Sequence, residues 1–341
     1  MPKNVVLLYD KLMLSHDTGQ LHPERPDRLY AIQDALRCAE VPGVRWQAPK
    51  PATRKQIERI HTCDHVDQIE AFRGRAGRLD ADTPLSEDSV AAAYLAAGAA
   101  IDAVDVVHKN PSESAFALVR PPGHHAERDQ AMGFCLFNNI AVAAAHAVDT
   151  LGYKRVLVID WDVHHGNGTH YSFYDRREVM VFNTHRYPFY PGTGQAKETG
   201  ISNGAGYTVN VPLPPGMGDG DYKHAFETVL EPIADAYEPD LVLVSAGFDS
   251  HRLDPLGGME VTSEGFGGLC TMVQRIADKH ADGRLALILE GGYSLEGLSQ
   301  SVLKCVEVLA GTPYEIDDEP SENGYAAIVR ARRQLRMYWN V

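Results

Sequence analysis

Four short stretches of this sequence carry the residue types that metal-assisted hydrolysis needs: Pro121-Pro-Gly-His-His125, Asp160-Trp-Asp-Val-His-His165, Gly247-Phe-Asp249 and Glu290-Gly-Gly-Tyr293. In an extended chain residues i, i+2 and i+4 share a face. Asp160, Asp162 and His164 therefore point one way, and Trp161, Val163 and His165 point elsewhere. Two carboxylates and an imidazole at that spacing make a metal corner, or the ring of residues just behind one, and Asp249 offers a further carboxylate. A hydrolytic zinc site uses three protein ligands and leaves one position open. Aspartate oxygens with one imidazole keep such a cation hard and Lewis-acidic. The plainer reading is a helix cap with a surface hydrogen-bond network; three sibling clusters weigh against it.

His124 and His125 follow a Pro-Pro-Gly turn that aims both rings. A catalytic histidine needs its far nitrogen held by a carboxylate or an amide. Asp160 suits His124 in that role, and Asn167 suits His125. The carboxylate raises its imidazole's pKa more than the amide raises the other's, and such a split is how acid and base roles are assigned. Tyr293 stands after two glycines, where the backbone can approach a metal closely. Its hydroxyl can donate to the oxyanion formed when water attacks a carbonyl. Alone, tandem histidines or a tyrosine at a helix start would read as structural.

Positioning these groups falls to short apolar runs at 5–8, 115–119, 156–159, 179–182, 207–211, 241–245 and 285–289. Between them lie helical segments at 26–38, 88–107, 138–150, 221–236, 262–279 and 295–310. This alternation predicts an α/β fold, a mainly parallel sheet flanked by helices on both faces. Each polar cluster directly follows a predicted strand, and open α/β sheets bind ligands beyond the carboxyl ends of their strands. No repeat or linker divides the chain, so one catalytic domain is expected over 1–312. Residues 313–341 read as a C-terminal extension, acidic and turn-rich at first, then a basic terminal helix at 326–339 packed on the body.

With 341 residues, 44% of them apolar and 23% charged, the chain has the composition of a soluble globular protein. A formal net charge of -14 argues against nucleic acid as partner and suits a cationic substrate. The five cysteines, 38, 63, 135, 270 and 305, form no CxxC pair, so neither disulfides nor a cysteine zinc cluster is expected. The amino terminus reads as a first strand rather than a secretory leader. No apolar run reads as membrane-spanning. A cytoplasmic enzyme is the expectation.

Further motifs are His22-Pro-Glu-Arg-Pro-Asp-Arg28, Arg120-Pro-Pro-Gly-His-His-Ala126, Gly133-Phe-Cys-Leu-Phe-Asn-Asn139, Tyr190-Pro-Gly-Thr-Gly194 and Asp254-Pro-Leu-Gly257. Together with the four clusters they resemble the histone deacetylase superfamily, which includes class II lysine deacetylases, bacterial deacetylase-like amidohydrolases and acetylpolyamine amidohydrolases. Asn167 and the Asp-Pro-Leu-Gly stretch are similar to the class II branch. The resemblance implies a single-domain arginase/deacetylase-like fold, with Asp162, His164 and Asp249 as ligands of one zinc ion, or of iron(II). It implies His125 as general base and then acid, His124 as electrostatic assistant and Tyr293 as carbonyl polariser. Gly133, Phe134 and Tyr190 would wall the substrate channel, with Leu256 at its rim and Asp82 holding substrate backbone there. Potassium would sit near zinc through Asp160, Asp162, His164, Asn183 and Thr184, and at a second site through Phe173, Arg176 and Val179. Arg28 would line an internal acetate channel.

The substrate implied is an acetylated lysine in a peptide or protein; alternatives are an acetylpolyamine or another small N-acyl amine. A zinc protein that binds acyl-lysine without turnover is a different class, opposed by the intact Tyr293 and both histidines. Arginase-like dimanganese enzymes of the same fold need further carboxylates where this chain has Gly166 and His251. Oligomeric state is left open, homo-oligomers included.

Overall fold

Runs of valine, leucine and isoleucine become strands because branched side chains on both sides of the pleat leave no side for water. The computed structural model describes residues 3–341. Its strands are β1 (Asn4–Leu8), β2 (Val44–Gln47), β3 (Gly77–Arg78), β4 (Pro84–Leu85), β5 (Glu113–Ala117), β6 (Val156–Asp160), β7 (Val179–Arg186), β8 (Thr208–Leu213), β9 (Leu241–Ala246) and β10 (Leu285–Leu289). Eight form one sheet in the order β2-β1-β5-β10-β9-β6-β7-β8, every neighbouring pair parallel. Strands β3 and β4 make a separate antiparallel pair. Residues of β6, β9 and β10 are buried throughout, as strands covered on both faces must be. Strand β2 escapes a reading by apolar runs because it lies at the sheet edge, half-exposed, with Arg45 and Gln47 breaking the pattern.

The helices are α1 (Asp27–Ala39), α2 (Arg54–Ile57), α3 (Cys63–Glu70), α4 (Ser89–Lys109), α5 (Asn139–Asp149), α6 (Asn167–Ser172), α7 (Asp219–Ala225), α8 (Glu231–Tyr237), α9 (Ser263–His280), α10 (Leu295–Leu309) and α11 (Glu322–Leu335). Helices α4 and α5 pack together on the sheet, and α1, α9 and α10 pack together as a second group. Between α7 and α8 the backbone continues through a π-helical stretch, Phe226–Leu230. Pro232 follows it; with no N–H to offer Thr228, it favours the wider turn.

Contrary to the sequence reading, one helix is long and apolar enough to cross a membrane: α4, Ser89–Lys109. In this fold it is a core helix, mostly buried and packed on α5, β5 and β10. Its alanines and glycine allow close approach. A Cβ at Gly98 would stand 1.9 Å from the Lys50 carbonyl oxygen. The terminal helix α11 begins earlier than expected, because Ser321 caps it by accepting the Gly324 N–H. It packs on β8 and α7. After it, Trp339 Nε1–H donates to the Gly206 carbonyl at 2.6 Å.

A buried charge cluster ties the loop before α1 to the strand ends. Glu24 accepts from Arg120 Nη2 at 2.7 Å and from Arg28 Nη1 at 3.0 Å, and all three side chains are fully buried. Arg28 Nε donates in turn to the Gly292 carbonyl at 2.7 Å. Burial alone would raise the Glu24 carboxyl, but the two guanidinium groups outweigh it and hold its pKa near 2, against 4.5 unperturbed. A carboxyl depressed on folding stabilises fully above its unfolded pKa. That contribution is lost as pH falls from about 4.5 towards 2. Glu24→Ala leaves two buried cations without their anion, so urea unfolding at pH 7 should show a loss of about 3–5 kcal/mol. An unchanged midpoint would show that the cluster does not hold the fold.

Candidate active site

Strands β6 and β9 are neighbours, with Asp160 opposite Ser245. The chain leaving β6 carries Asp162 and His164, and the chain leaving β9 carries Asp249. One ligand atom from each of these three lies within 4.8 Å of the others. His164 Nδ1 is 3.1 Å from Asp162 Oδ1 and 3.1 Å from Asp249 Oδ2. Both aspartates are buried. Burial first, and then the charge of Asp162, push the Asp249 carboxyl up to about 7. Burial opposes a charge on His164, but hydrogen bonds to the two carboxylates outweigh it and raise its pKa to about 10. Paired carboxylates away from water demand positive charge beside them. A divalent cation fits this donor set.

Main chain holds the carboxylates from behind. Asp162 Oδ2 accepts the Gly291 N–H at 2.9 Å, and Asp249 Oδ1 accepts the Val163 N–H at 2.8 Å. Glycine is required for this approach. A Cβ at Gly247 would lie 2.0 Å from Asp162 Oδ2, and one at Gly291 would lie 2.4 Å from Asp249 Oδ2. Likewise a Cβ at Gly166 would stand 2.1 Å from Asp160 Oδ2, so no carboxylate for a second metal can occupy that position. His251 is turned away, its Nε2 3.1 Å from Ser263 Oγ at the start of α9. Among the described residues Asp162, His164 and Asp249 form the one cluster of this kind.

The histidine pair is hung from Glu290. Its Oε2 accepts the N–H groups of Gly123 at 2.6 Å and His124 at 3.1 Å, and its Oε1 accepts from Ser245 Oγ at 3.0 Å. His124 Nδ1 is 3.0 Å from Asp160 Oδ2, and His125 Nδ1 is 2.7 Å from Asn167 Oδ1. The two rings lie 4.0 Å apart. Burial opposes a charge on either ring. For His124 the carboxylates of Asp162 and Asp160 overcome it and raise the pKa to about 10. For His125, burial is reinforced by the neighbouring imidazoles and holds the pKa well below its ordinary value. Among the described residues His125 Nε2 takes no protein partner.

Tyr293 follows Gly292, whose φ of 117° only glycine adopts comfortably. Its main-chain N–H donates to Asp254 Oδ2 at 2.6 Å, and the Arg28 guanidinium lies 5.2 Å from its ring centre. Arg28 thus stands behind Tyr293, with Nε and Nη1 committed to Gly292 and Glu24. Burial keeps the phenol pKa well above 10. Among the described residues its hydroxyl has no protein partner.

A narrow pocket of about 100 Å³ leads to these groups, lined by Asp82, Gly133, Phe134, Tyr190 and Leu256 above His124, His125, His164 and Tyr293. The Tyr190 ring stands at 86° to His125 with centres 5.1 Å apart, and Phe134 packs edge-on against Tyr293. Gly133 and Phe134 have φ of 56° and 69°. Such strain in a phenylalanine is held where a wall must be aimed. Leu256, 37% exposed, stands at the rim. Pro122 and Gly291 also line the pocket, and no motif spacing assigns them a role. The same holds for Glu290 and Asp254, which act by accepting main-chain N–H groups from distant loops. A larger cavity of about 590 Å³ lies at the amino ends of β6 to β9 and holds none of these residues.

Asn183 lies opposite Asp160 on β7, and its Oδ1 is 3.4 Å from the Gly166 N–H. Next to it Thr184 Oγ1 is buried without a partner. Phe173 and Arg176 fall in the turn from α6 into β7, where the Phe173 carbonyl accepts the Arg176 N–H at 3.0 Å, and Val179 opens β7.

Residues 22–309 match the profile of the histone deacetylase domain. Histone deacetylase 5 of Arabidopsis thaliana is 39% identical over 366 residues, a match spanning 99% of this chain and 54% of that protein. Polyamine deacetylase HDAC10 of Homo sapiens is 41% identical over 342 residues, spanning 95% of this chain and 50% of that protein. The chain thus spans about half the length of each. The crystal structure of the HDA15 HD domain superposes with a TM-score of 0.93 at 40% identity, covering 99% of this chain and 95% of the other. Fold, profile and sequence agree: this chain belongs to the histone deacetylase family.

Proposed function

We propose that the chain is a metal-dependent deacylase that hydrolyses the amide of N-acetylated amines, with acetyl-lysine side chains of peptides or proteins as its substrates. The observation that carries this reading is the meeting of His125, His164 and Tyr293 at the floor of one narrow pocket walled by Gly133, Phe134 and Tyr190. A pocket of about 100 Å³ admits a slender acyl-amine stem and excludes bulky groups.

Asp162, His164 and Asp249 would hold the divalent cation, zinc in this reading with iron(II) as the alternative. When bound, that ion supplies Lewis acidity to the acyl carbonyl and to water. Asp160, Asp162, His164, Asn183 and Thr184 would hold potassium, with a second ion at Phe173, Arg176 and Val179; the unpartnered Thr184 oxygen supports the first of these. His125 takes the proton of the attacking water at Nε2, because Nδ1 is committed to Asn167. His124, paired with Asp160, assists electrostatically. The neutral Tyr293 phenol donates to the oxyanion. His125, now protonated, returns the proton to the leaving amine. Residues 1–312 would make up the catalytic unit, with 313–341 an extension docked through α11.

A second reading, an acylpolyamine as substrate, draws on the Asp82 carboxylate at the rim and on the likeness to a polyamine deacetylase. Leu256 in place of an acidic gate weighs against it. On one metal-assayed sample, kcat/KM should be higher for an acetyl-lysine peptide than for acetylputrescine or acetylspermidine; the reverse order would transfer the assignment to polyamines. His125→Ala should lower kcat by about 10²–10⁴-fold while metal content is unchanged, and near-normal turnover would remove His125 from the base role. Tyr293→Phe should cost about 10²–10³-fold in kcat. Its thermal midpoint should hardly move, since the hydroxyl has no protein partner to lose.

A further inference from the structure

The orientation of the Asn167 amide is decided by groups behind the pocket. Its Nδ2 faces two oxygens, Glu127 Oε1 at 2.6 Å and the His125 carbonyl at 3.3 Å. A carboxylate and a carbonyl only accept, so both hydrogens of the amide nitrogen are committed on that side. The amide oxygen must then face His125 Nδ1, at 2.7 Å. That oxygen also only accepts. Nδ1 therefore carries the ring proton, and Nε2 keeps the lone pair that a general base uses.

Of the two acceptors Glu127 is the shorter contact and the charged one, and so the stronger. Its backbone is fixed independently. The Glu127 N–H donates to the Gln130 carbonyl at 2.9 Å, and its own carbonyl lies 2.9 Å from His61 Nδ1. Burial holds the His61 pKa down to about 3, so it stays neutral. Glu127 is half-buried, outside the pocket lining and outside the metal cluster.

We infer that Glu127 is a positioning residue that sets the tautomer of His125 by orienting the Asn167 amide. The inference rests on His125 being the base. Glu127→Lys tests it by replacing an acceptor with a donor, which should turn the amide over and present Nδ2 to His125 Nδ1. That nitrogen must then accept, and the ring proton moves to Nε2. In ¹⁵N-histidine spectra of the metal-loaded protein without substrate, the His125 pattern should change from Nδ1–H to Nε2–H. In the same variant kcat should fall by about 10²-fold or more, with KM within about twofold, as expected when a base is held in the wrong tautomer. Glu127→Gln, able to accept or donate, should show both tautomers and an intermediate kcat. It carries the test if the lysine variant does not fold. Wild-type tautomer and kcat in a folded variant would overturn the inference. Because the spectrum is read without substrate, the two ideas fail separately. An active His125→Ala would sink the base assignment, whereas an unmoved tautomer beside an inactive His125→Ala would sink only the role of Glu127.

Discussion

Two buried carboxylates, Asp162 and Asp249, reach towards the same imidazole, and that enforced like-charge contact is what the rest of the site is built around. Left alone it is costly, because each charge has lost its water and faces another of its own sign. A positive charge between them turns the penalty into affinity. Parallel pairing of β6 with β9 makes the contact unavoidable, since it brings the carboxyl ends of both strands to one edge. Glycines at 247 and 291 then let the backbone close to within a distance that any side chain would block. Backbone N–H groups of Val163 and Gly291 take up the rear oxygens, leaving the front ones for a cation.

Behind this centre the protein uses buried carboxyl and guanidinium groups as struts. Glu24 gathers Arg28 and Arg120, Arg28 reaches the carbonyl of Gly292, and Glu290 holds the turn that bears both histidines. Buried ion pairs are weak sources of net stability, because desolvation offsets much of their attraction. They do fix geometry. Here they join the loop before α1, the loop after β5 and the loop after β10, three segments far apart in sequence. The adjacent histidines show the result. His124 sits against two carboxylates and is driven towards the cation, whereas burial and the neighbouring imidazoles keep His125 neutral.

Much of this design is legible in the amino-acid sequence. Strands such as 156–159 and 241–245 announce themselves because a parallel, doubly covered strand needs apolar residues at every position. The Asp-x-Asp-x-His spacing marks the ligand cluster, although β6 ends at Asp160 and a bent segment, not the pleat, carries Asp162 and His164. What the chain hides is tertiary in origin. Strand β2, with Arg45 and Gln47, pairs through its backbone on one edge and carries no apolar signature. Helix α4 is apolar nearly all round, and only its packing on α5, β5 and β10 shows it to be a core helix. Glu290, Asp254 and Glu127 work by accepting hydrogens from groups brought close only by the fold, and no spacing rule marks an acceptor of that kind. The positive φ of Phe134 is likewise a property of the folded loop.

Asp162, His164 and Asp249 are proposed to hold one divalent cation. Equilibrium dialysis of metal-stripped protein against zinc at neutral pH, with metal analysis of the retentate, measures it without reference to any substrate. The expected result is one tightly held ion per wild-type chain, and its loss from Asp249→Asn with the fold retained by circular dichroism. Two ions bound at comparable affinity, or full binding by the Asp249→Asn variant, would contradict it.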